Sequence, residues 1–344
     1  MNIIQRLFGQ SDKKGTSKSA EETSSAAANS ASRSTSDAPR TDERNVDTDR
    51  LPADVVMPAS AKSTATASLY VDGATRPLPA EVVIAAGNKH IIFGQSTDVG
   101  MVRNNNQDAA YSFFTMLRSV DDYPDFGLFI VADGMGGHHD GEKASAMTAR
   151  IVAAQVASTI YQPLLAGIDS NDRPPITEAL IEAVQKANAS VIAKVPDGGT
   201  TLTAVAIVGD LAYIAHVGDS RIYLITRDGV EQITRDHSLV QRLIELDQLT
   251  PEEAAEHPQK NVLYRALGQN EALEVDALTR RLPPNSKLLL CSDGLWSQVQ
   301  EREIAQIVRN NPDPQEACDQ LVALANTHGG IDNVTAILLQ VPGS

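Results

Sequence analysis

Hydrophobic positions divide the chain into two regimes. From Ser11 to about Ser68 neither the two-residue period of a strand nor the 3.6-residue period of a helix persists, and Ser, Thr, Ala, Asn and mixed charge fill the interval. Such a stretch buries too little apolar area to offset the entropy of ordering it, so residues 1–68 are predicted to form a disordered tail. The tip is the exception. Ile3, Ile4, Leu7 and Phe8 share one face if Asn2 to Phe8 is helical, a spacing suited to docking on a partner or a membrane surface. Residues 69–90 read equally as a linker or a first strand.

From Ile91 onward strand-like and helix-like runs alternate, predicting one α+β domain over residues 91–344. Phe126–Ala132 (FGLFIVA) is a short apolar run that stops at Asp-Gly, the mark of a buried strand. Gly141 to Tyr161 and Thr177 to Lys194 read as helices, the second preceded by Pro174-Pro175. Strands over Thr201–Val208, Leu211–Val217, Arg221–Thr226 and Val230–Ile233, joined by Gly-Asp, Gly-Asp-Ser and Arg-Asp-Gly turns, predict an antiparallel meander. Asp236 to Glu256 reads as one charged helix and Leu288–Ser292 as another buried strand. Helices near Glu301–Arg309 and Pro314–His328 precede a last strand, Val334–Val341. Runs of strands beside paired helices point to sheets covered by helices.

Charge narrows the function classes. The 344 residues carry 29 Lys/Arg against 44 Asp/Glu, a formal charge of −15, and the first fifty hold 8 of each sign, so the acidic excess lies in the remainder. An acidic body without clustered Lys/Arg argues against a nucleic-acid binder and suits a protein that gathers cations. Cys291 and Cys318 lie far apart and outside any C-x-x-C pair, which removes support for a disulfide framework or a thiolate zinc site. A reducing, cytoplasmic setting follows as the expectation. No apolar run approaches the ~20 residues of a membrane-spanning helix, and the N-terminus lacks the apolar core of a secretory signal.

Candidate chemistry concentrates in one repeated device, an apolar run followed by an acidic residue and then Gly, Ser or Asn. Val131-Ala132-Asp133-Gly134, Cys291-Ser292-Asp293-Gly294, Val217-Gly218-Asp219-Ser220 and Gly330-Ile331-Asp332-Asn333 fit it, and Asn106-Gln107-Asp108 is similar. A carboxylate at a strand end is a good ligand for a hard cation, and several converging would repel one another unless divalent metal neutralised them. An all-oxygen set suits Mg²⁺ or Mn²⁺ rather than zinc. Asp-Gly is also a common turn dipeptide, and Asp210 and Asp228 are assigned to hairpins on that ground. Asp133 and Asp293 are set apart by the hydrophobic strand before each, and Asp133 also by the glycine-rich Gly134-Met135-Gly136-Gly137-His138 that follows.

The ordered strings STDVGMVRNNNQD (96–108), FIVADGMGGHHDGEKAS (129–145), GTTLTAVAI and AHVGDSRIYLI (within 199–225), TRDHSLVQRL (234–243), NVLYRALG (261–268), LLLCSDGLW (288–296) and GGIDNVTAILL (329–339) resemble the successive motifs of the bacterial metal-dependent protein phosphatases, the PPM or type 2C serine/threonine phosphatase family. The resemblance runs from about Phe93 to Val341 and leaves the tail outside. It implies a four-layer αββα sandwich, two central and mainly antiparallel sheets flanked by helix pairs. It implies that Asp133 bridges two Mg²⁺ or Mn²⁺ ions, that the Gly134 carbonyl coordinates one of them, that Asp293 and Asp332 complete the other shell, and that Asp108 acts largely through water. Two ions ~4 Å apart activate the attacking water and offset charge on the phosphoryl oxygens, so no phosphoenzyme is needed. Arg103 matches the family's phosphate-binding arginine, whose planar fork suits a dianion. The implied partners are phosphorylated proteins and a cognate Ser/Thr kinase.

Departures from the family pattern bear on mechanism. Met135 stands where animal members carry a histidine proposed as the acid for the leaving oxygen, with His138 and His139 as conceivable substitutes. The family's third metal site uses the Asp of the GDSR motif, here Asp219, with a second Asp whose position is Ser297 in this chain, so a third ion would be held weakly. Gln107 occupies a place where many members carry Glu. The stretch from about residue 236 to 268 resembles the flap beside the active site, with Arg242 and Glu252-Glu253 as charges that would select substrates. GxxxxGK[ST], GxGxxG after a strand, HExxH and GxSxG are all missing, which removes nucleotide, zinc-protease and serine-hydrolase readings. The rival from another class is a phosphoprotein-binding module on the same fold, catalytically impaired, supported only by Ser297 and Gln107.

Overall fold

The computed structural model describes residues 90–117, 123–136 and 139–343, all within the unit Pro77–Ser344. The predicted tail and its tip, residues 69–89 and His138 lie outside the described residues. In chain order the described elements are β1 (Ile92–Asp98), β2 (Asp108–Thr115), β3 (Phe126–Gly136), α1 (Asp140–Val156), α2 (Ile176–Lys194), β4 (Gly198–Thr200), β5 (Leu202–Val208), β6 (Leu211–Val217), β7 (Arg221–Ile225), β8 (Val230–Gln232), α3 (Leu239–Glu245), α4 (Pro251–Ala255), β9 (Asp276–Arg281), β10 (Lys287–Cys291), α5 (Asp293–Trp296), α6 (Glu301–Asn310), α7 (Pro314–Thr327) and β11 (Val334–Gln340). One sheet has the order β1-β11-β10-β7-β8 and the other β2-β3-β5-β6-β9, with β4 paired to the end of β3. Every ladder in both is antiparallel.

The uninterrupted apolar runs follow from burial on both faces, since alternate residues of a strand point to opposite sides. Along β3, Leu128, Ile130 and Ala132 face a core shared with α1 and α2, while Phe129 and Val131 face the core between the sheets. The second sheet is built alike. In β10 and β11, Leu288, Leu290, Ile337 and Leu339 point between the sheets, and Leu289, Cys291, Ala336 and Leu338 point to α6 and α7. Helix pairs therefore cover both outer faces, giving the four-layer αββα sandwich. Both cysteines are buried as small apolar residues and are unpaired.

Three local readings are corrected. The stretch Asp236 to Glu256 is not one helix. Asp247 takes a positive φ of 54°, and Thr250 caps a new helix whose first residue is Pro251, its hydroxyl accepting from the Glu253 N–H at 3.2 Å. The helix from Gly141 does not end at Tyr161 but passes through a π-helical turn, Ala157–Tyr161, into Gln162–Leu165. Strands β2 and β9, absent from the sequence-based expectation, form the edges of the second sheet; all eight β2 positions are half-buried, so no alternation marks it. No helix among the described residues is long and apolar enough to cross a membrane.

Phe129 tests the inter-sheet core. It has no exposed surface and meets Phe93 edge to face at a centroid distance of 5.2 Å. Phe129→Ala should lower the unfolding free energy by about 3–5 kcal/mol in denaturant titration. Gly229→Ala, where a Cβ meets nothing within 4 Å, should leave it within about 0.5 kcal/mol. Equal effects of the two changes would contradict this packing.

Candidate active site

Five aspartates from distant parts of the chain reach one end of the sandwich by different routes. Asp133 lies inside β3, which continues to Gly136 instead of stopping at Ala132, because Gly134–Gly136 pair with β4. Asp108 opens β2 rather than ending a strand, and its register places it directly opposite Asp133. Asp219 occupies the turn between β6 and β7, and Asp293 is the first residue of α5 immediately after β10. Asp332 stands just before β11, after Gly329 and Gly330 with φ of 126° and 52°. The expected device, a strand ending in Asp, thus holds in outline only for Asp219 and Asp293. Asp210 and Asp228 remain in hairpins as assigned.

The chain packs closely around this end. A Cβ on Gly134 would stand 2.2 Å from the Gly141 carbonyl oxygen, and one on Gly294 would stand 2.0 Å from that of Asn333, so only glycine fits at either place. Asp133 is gripped through its backbone: its N–H donates to Thr201 Oγ1 at 2.9 Å, and its carbonyl accepts from the Thr201 N–H at 2.8 Å and from Thr200 Oγ1 at 2.9 Å. Ser292 Oγ donates to Asp108 Oδ2 at 2.8 Å and accepts from the Thr335 N–H at 3.0 Å. Asn333 ties the Arg103 loop to β11. Its Nδ2 donates to the carbonyls of Val99 and Asn105 at 2.9 Å each, and its Oδ1 accepts from the Gln107 N–H at 2.8 Å. Ser292 and Asn333 adjoin the candidate aspartates and were assigned no role from sequence, since a serine or asparagine in a motif gives no sign of its hydrogen-bond partner.

An open cleft of about 190 Å³ results, lined by Arg103, Gln107, Asp133, Gly134, Met135, Gly136, Thr201, Asp219, Asn261, Leu263, Asp293 and Asp332. Asp108 sits behind its wall. Asn261 and Leu263 come from the 236–268 stretch, whereas Arg242 and Glu252-Glu253 do not line the cleft; Arg242 pairs with Glu245 at 3.2 Å. Arg103 donates through Nη2 to Asp332 Oδ2 at 2.6 Å, and that bond raises its already high pKa further. His139 is exposed and turned to Glu142, 3.4 Å away, outside the cleft. Trp296 Nε1 donates to the Asp219 carbonyl at 3.0 Å, with the Arg221 guanidinium stacked 3.6 Å over its ring.

Electrostatics mark the site as strained by like charge. Loss of water around its carboxylate, and then the charges of Asp108, Asp293, Asp219 and Asp332, hold the Asp133 pKa well above the ordinary value. Burial followed by Asp293 and Asp236 does the same for Asp219. Asp293 is pushed up to about 6 by burial and then by Asp332, against the opposing pull of Arg103. Asp108 is pushed up to about 7 by burial, against the lowering bonds from Thr335 and Ser292. Among the described residues no three His, Cys, Asp or Glu side chains converge as tightly as a held ion would draw them, and Asp332 is turned to Arg103. The donor chemistry nevertheless fits a hard cation. All the donors are oxygen, and buried Asp108 Oδ1 and Asp293 Oδ1 have no hydrogen-bond partner.

Comparison with known proteins agrees. The sequence pattern of the family described as protein phosphatase 2C matches residues 102–326. The serine/threonine phosphatase stp of Listeria innocua is 36% identical over 244 residues, covering 71% of this chain and 93% of that protein. The solved serine/threonine phosphatase of S. agalactiae superposes with a TM-score of 0.65 at 34% identity, covering 73% of this chain and 100% of that one. The catalytic domain of the serine/threonine protein phosphatase PstP, solved in complex with 2 manganese ions, superposes with a TM-score of 0.60 at 31% identity, covering 74% and 99%. This chain belongs to the protein phosphatase 2C family and is a serine/threonine protein phosphatase.

Proposed function

We propose that the cleft hydrolyses phosphoserine and phosphothreonine on protein substrates, opposing a Ser/Thr kinase, with Asp133, Asp293, Asp332 and the Gly134 carbonyl holding two divalent cations, Mg²⁺ or Mn²⁺. The observation that carries this reading is the convergence of carboxylates whose buried Asp108 Oδ1 and Asp293 Oδ1 have no partner. When bound, the cations supply positive charge for the phosphoryl oxygens and lower the pKa of the attacking water. Asp108, held by Ser292, orients that water from behind the wall. Asp219 is placed to take a third ion weakly, since Ser297 contributes no carboxylate and donates its N–H to the Asp293 carbonyl at 2.9 Å.

The remaining work falls to fixed side chains. Arg103 engages Asp332 through one nitrogen of its fork, and a phosphate dianion competes for the same guanidinium with better charge and geometry. Water attacks phosphorus, the bond to the serine or threonine oxygen breaks, and the leaving oxygen takes a proton. His139 is turned to Glu142, and in this reading water supplies that proton. The catalytic unit starts near residue 91, and residues 236–268 act as the flap, lending Asn261 and Leu263 to the cleft. The impaired binding module rests only on Ser297 and Gln107, and the lining of the cleft by Asp133, Asp219, Asp293 and Asp332 supports turnover instead.

Phosphate release from a phosphothreonine peptide and from a small aryl phosphate should require Mn²⁺ or Mg²⁺, stop with chelator, and vanish in Asp133→Asn. Release that survives both would contradict the reading. Arg103→Ala should lower kcat/KM roughly 10- to 100-fold, the effect of losing a charged hydrogen bond of about 1.5–3 kcal/mol; an unchanged value would remove Arg103 from phosphate binding.

Stability carries a second signature. Asp108 and Asp293, raised from 3.8 to about 7 and about 6, bind protons in the folded chain that the unfolded chain has released. Their contribution is full below about pH 4 and is lost as pH rises through 6–7. In chelator the melting temperature should therefore fall between pH 5 and pH 8, and saturating Mn²⁺ or Asp133→Asn should flatten the fall. A melting temperature that rises across this window in chelator would contradict the account.

A further inference from the structure

We infer that the rim of the cleft beside Arg103 reads an apolar residue next to the phosphoserine or phosphothreonine of a protein substrate; this rests on the phosphatase reading and names its substrate class. Among the described residues the three most exposed large apolar side chains are Met101 at 70%, Val102 at 64% and Ile331 at 51%. All three stand on the two loops that carry Arg103 and Asp332. Single exposed apolar residues are ordinary, but three adjoining ones at the edge of a polar cleft mark a surface that is covered in use.

The two loops form one rigid surface. The N–H groups of Met101 and Val102 both donate to the Gly330 carbonyl, at 2.7 and 3.3 Å. Gly330 lies under the Met101 side chain, since a Cβ there would meet Met101 Cγ at 2.7 Å. Gly100 lies so close that a Cβ would stand 2.2 Å from the Asp332 carbonyl oxygen. Asn333 clamps the same loop from within through Val99 and Asn105. Met101, Val102 and Ile331 are thus presented by a backbone that is already ordered, and binding them costs little further ordering.

The occupant follows from continuity with the cleft. A phosphate held at Arg103 brings the neighbouring residues of its own chain, each reaching about 3.3–3.6 Å, over Val102, Met101 and Ile331. Val262, 41% exposed, adds an apolar side chain from the flap between the cleft-lining Asn261 and Leu263. A Leu, Ile, Val, Met or Phe beside the phosphorylated residue removes apolar surface from water on both partners, whereas Ser or Lys does not.

The test compares phosphothreonine peptides carrying Leu or Ser at each of the two positions on either side of the phosphorylated residue, with Mn²⁺ and with a small aryl phosphate as reference. The ratio of kcat/KM for Leu over Ser is internal to each protein and cancels any general loss of activity. Wild type should favour Leu about tenfold at one or more positions, and Met101→Ser/Ile331→Ser should bring the ratio to within about twofold of one. Should that variant not fold, Val102→Thr, which keeps the volume, should lower the ratio in the same direction. A wild-type ratio near one, or a preference retained in the variant, overturns the inference. So does a concentration-dependent dimer of the wild type that the variant abolishes, which would make the rim a contact between copies. If neither the aryl phosphate nor any peptide is hydrolysed, the phosphatase reading itself fails and this inference falls with it.

Discussion

Repulsion among the carboxylates at one end of the sandwich is the constraint around which the rest of the molecule is arranged. Asp108 and Asp133 face each other across a strand pair, an arrangement that is unfavourable for like charges. Asp293, Asp332 and Asp219 add to the same field. A loose scaffold would relieve this by spreading apart. Here Asp133 and Asp219 are anchored through their backbones, by Thr200 and Thr201 and by Trp296, whereas Asp108 and Asp332 are held at their carboxylates by Ser292 and Arg103. The oxygens Asp108 Oδ1 and Asp293 Oδ1 stay without a hydrogen-bond partner while the surrounding backbone is held by neutral groups.

The hydrophobic sandwich makes this possible by fixing strand ends. Strands buried on both faces cannot slip by one residue without moving their whole inner set to the wrong core, so Asp133, Asp293 and Asp332 inherit the precision of β3, β10 and β11. The stretch 236–268 is joined to this frame by a buried histidine. His237 Nδ1 accepts from the Gly218 N–H at 3.0 Å, one residue before Asp219, and its Nε2 lies 3.1 Å from Asp276 Oδ2. Burial lowers the His237 pKa, which agrees with a neutral ring accepting at Nδ1. The start of the 236–268 stretch and the Asp219 turn are therefore set by one side chain.

Much of this was legible in the chain. FGLFIVA and LLLCS announced buried strands, and the ordered motifs carried the fold and named Arg103, Asp133, Gly134, Asp219, Asp293 and Asp332, which line one cleft. What stayed hidden depends on tertiary contact. β2, half-buried throughout, has no period to read. The break between α3 and α4 turns on the backbone of Asp247, a residue that helices tolerate. Ser292, Asn333 and His237 act through partners distant in sequence, and the exposure of Met101, Val102 and Ile331 appears only once the strands are assembled.

The central claim is that these aspartates form a divalent-cation centre, and the most direct measurement is anomalous diffraction at the manganese absorption edge from crystals grown with Mn²⁺. The account predicts strong anomalous peaks in the cleft, within coordination distance of Asp133, Asp293 and Asp332, with Arg103 released from Asp332. A cleft without anomalous density at saturating Mn²⁺, or ordered peaks confined to other parts of the surface, would contradict it.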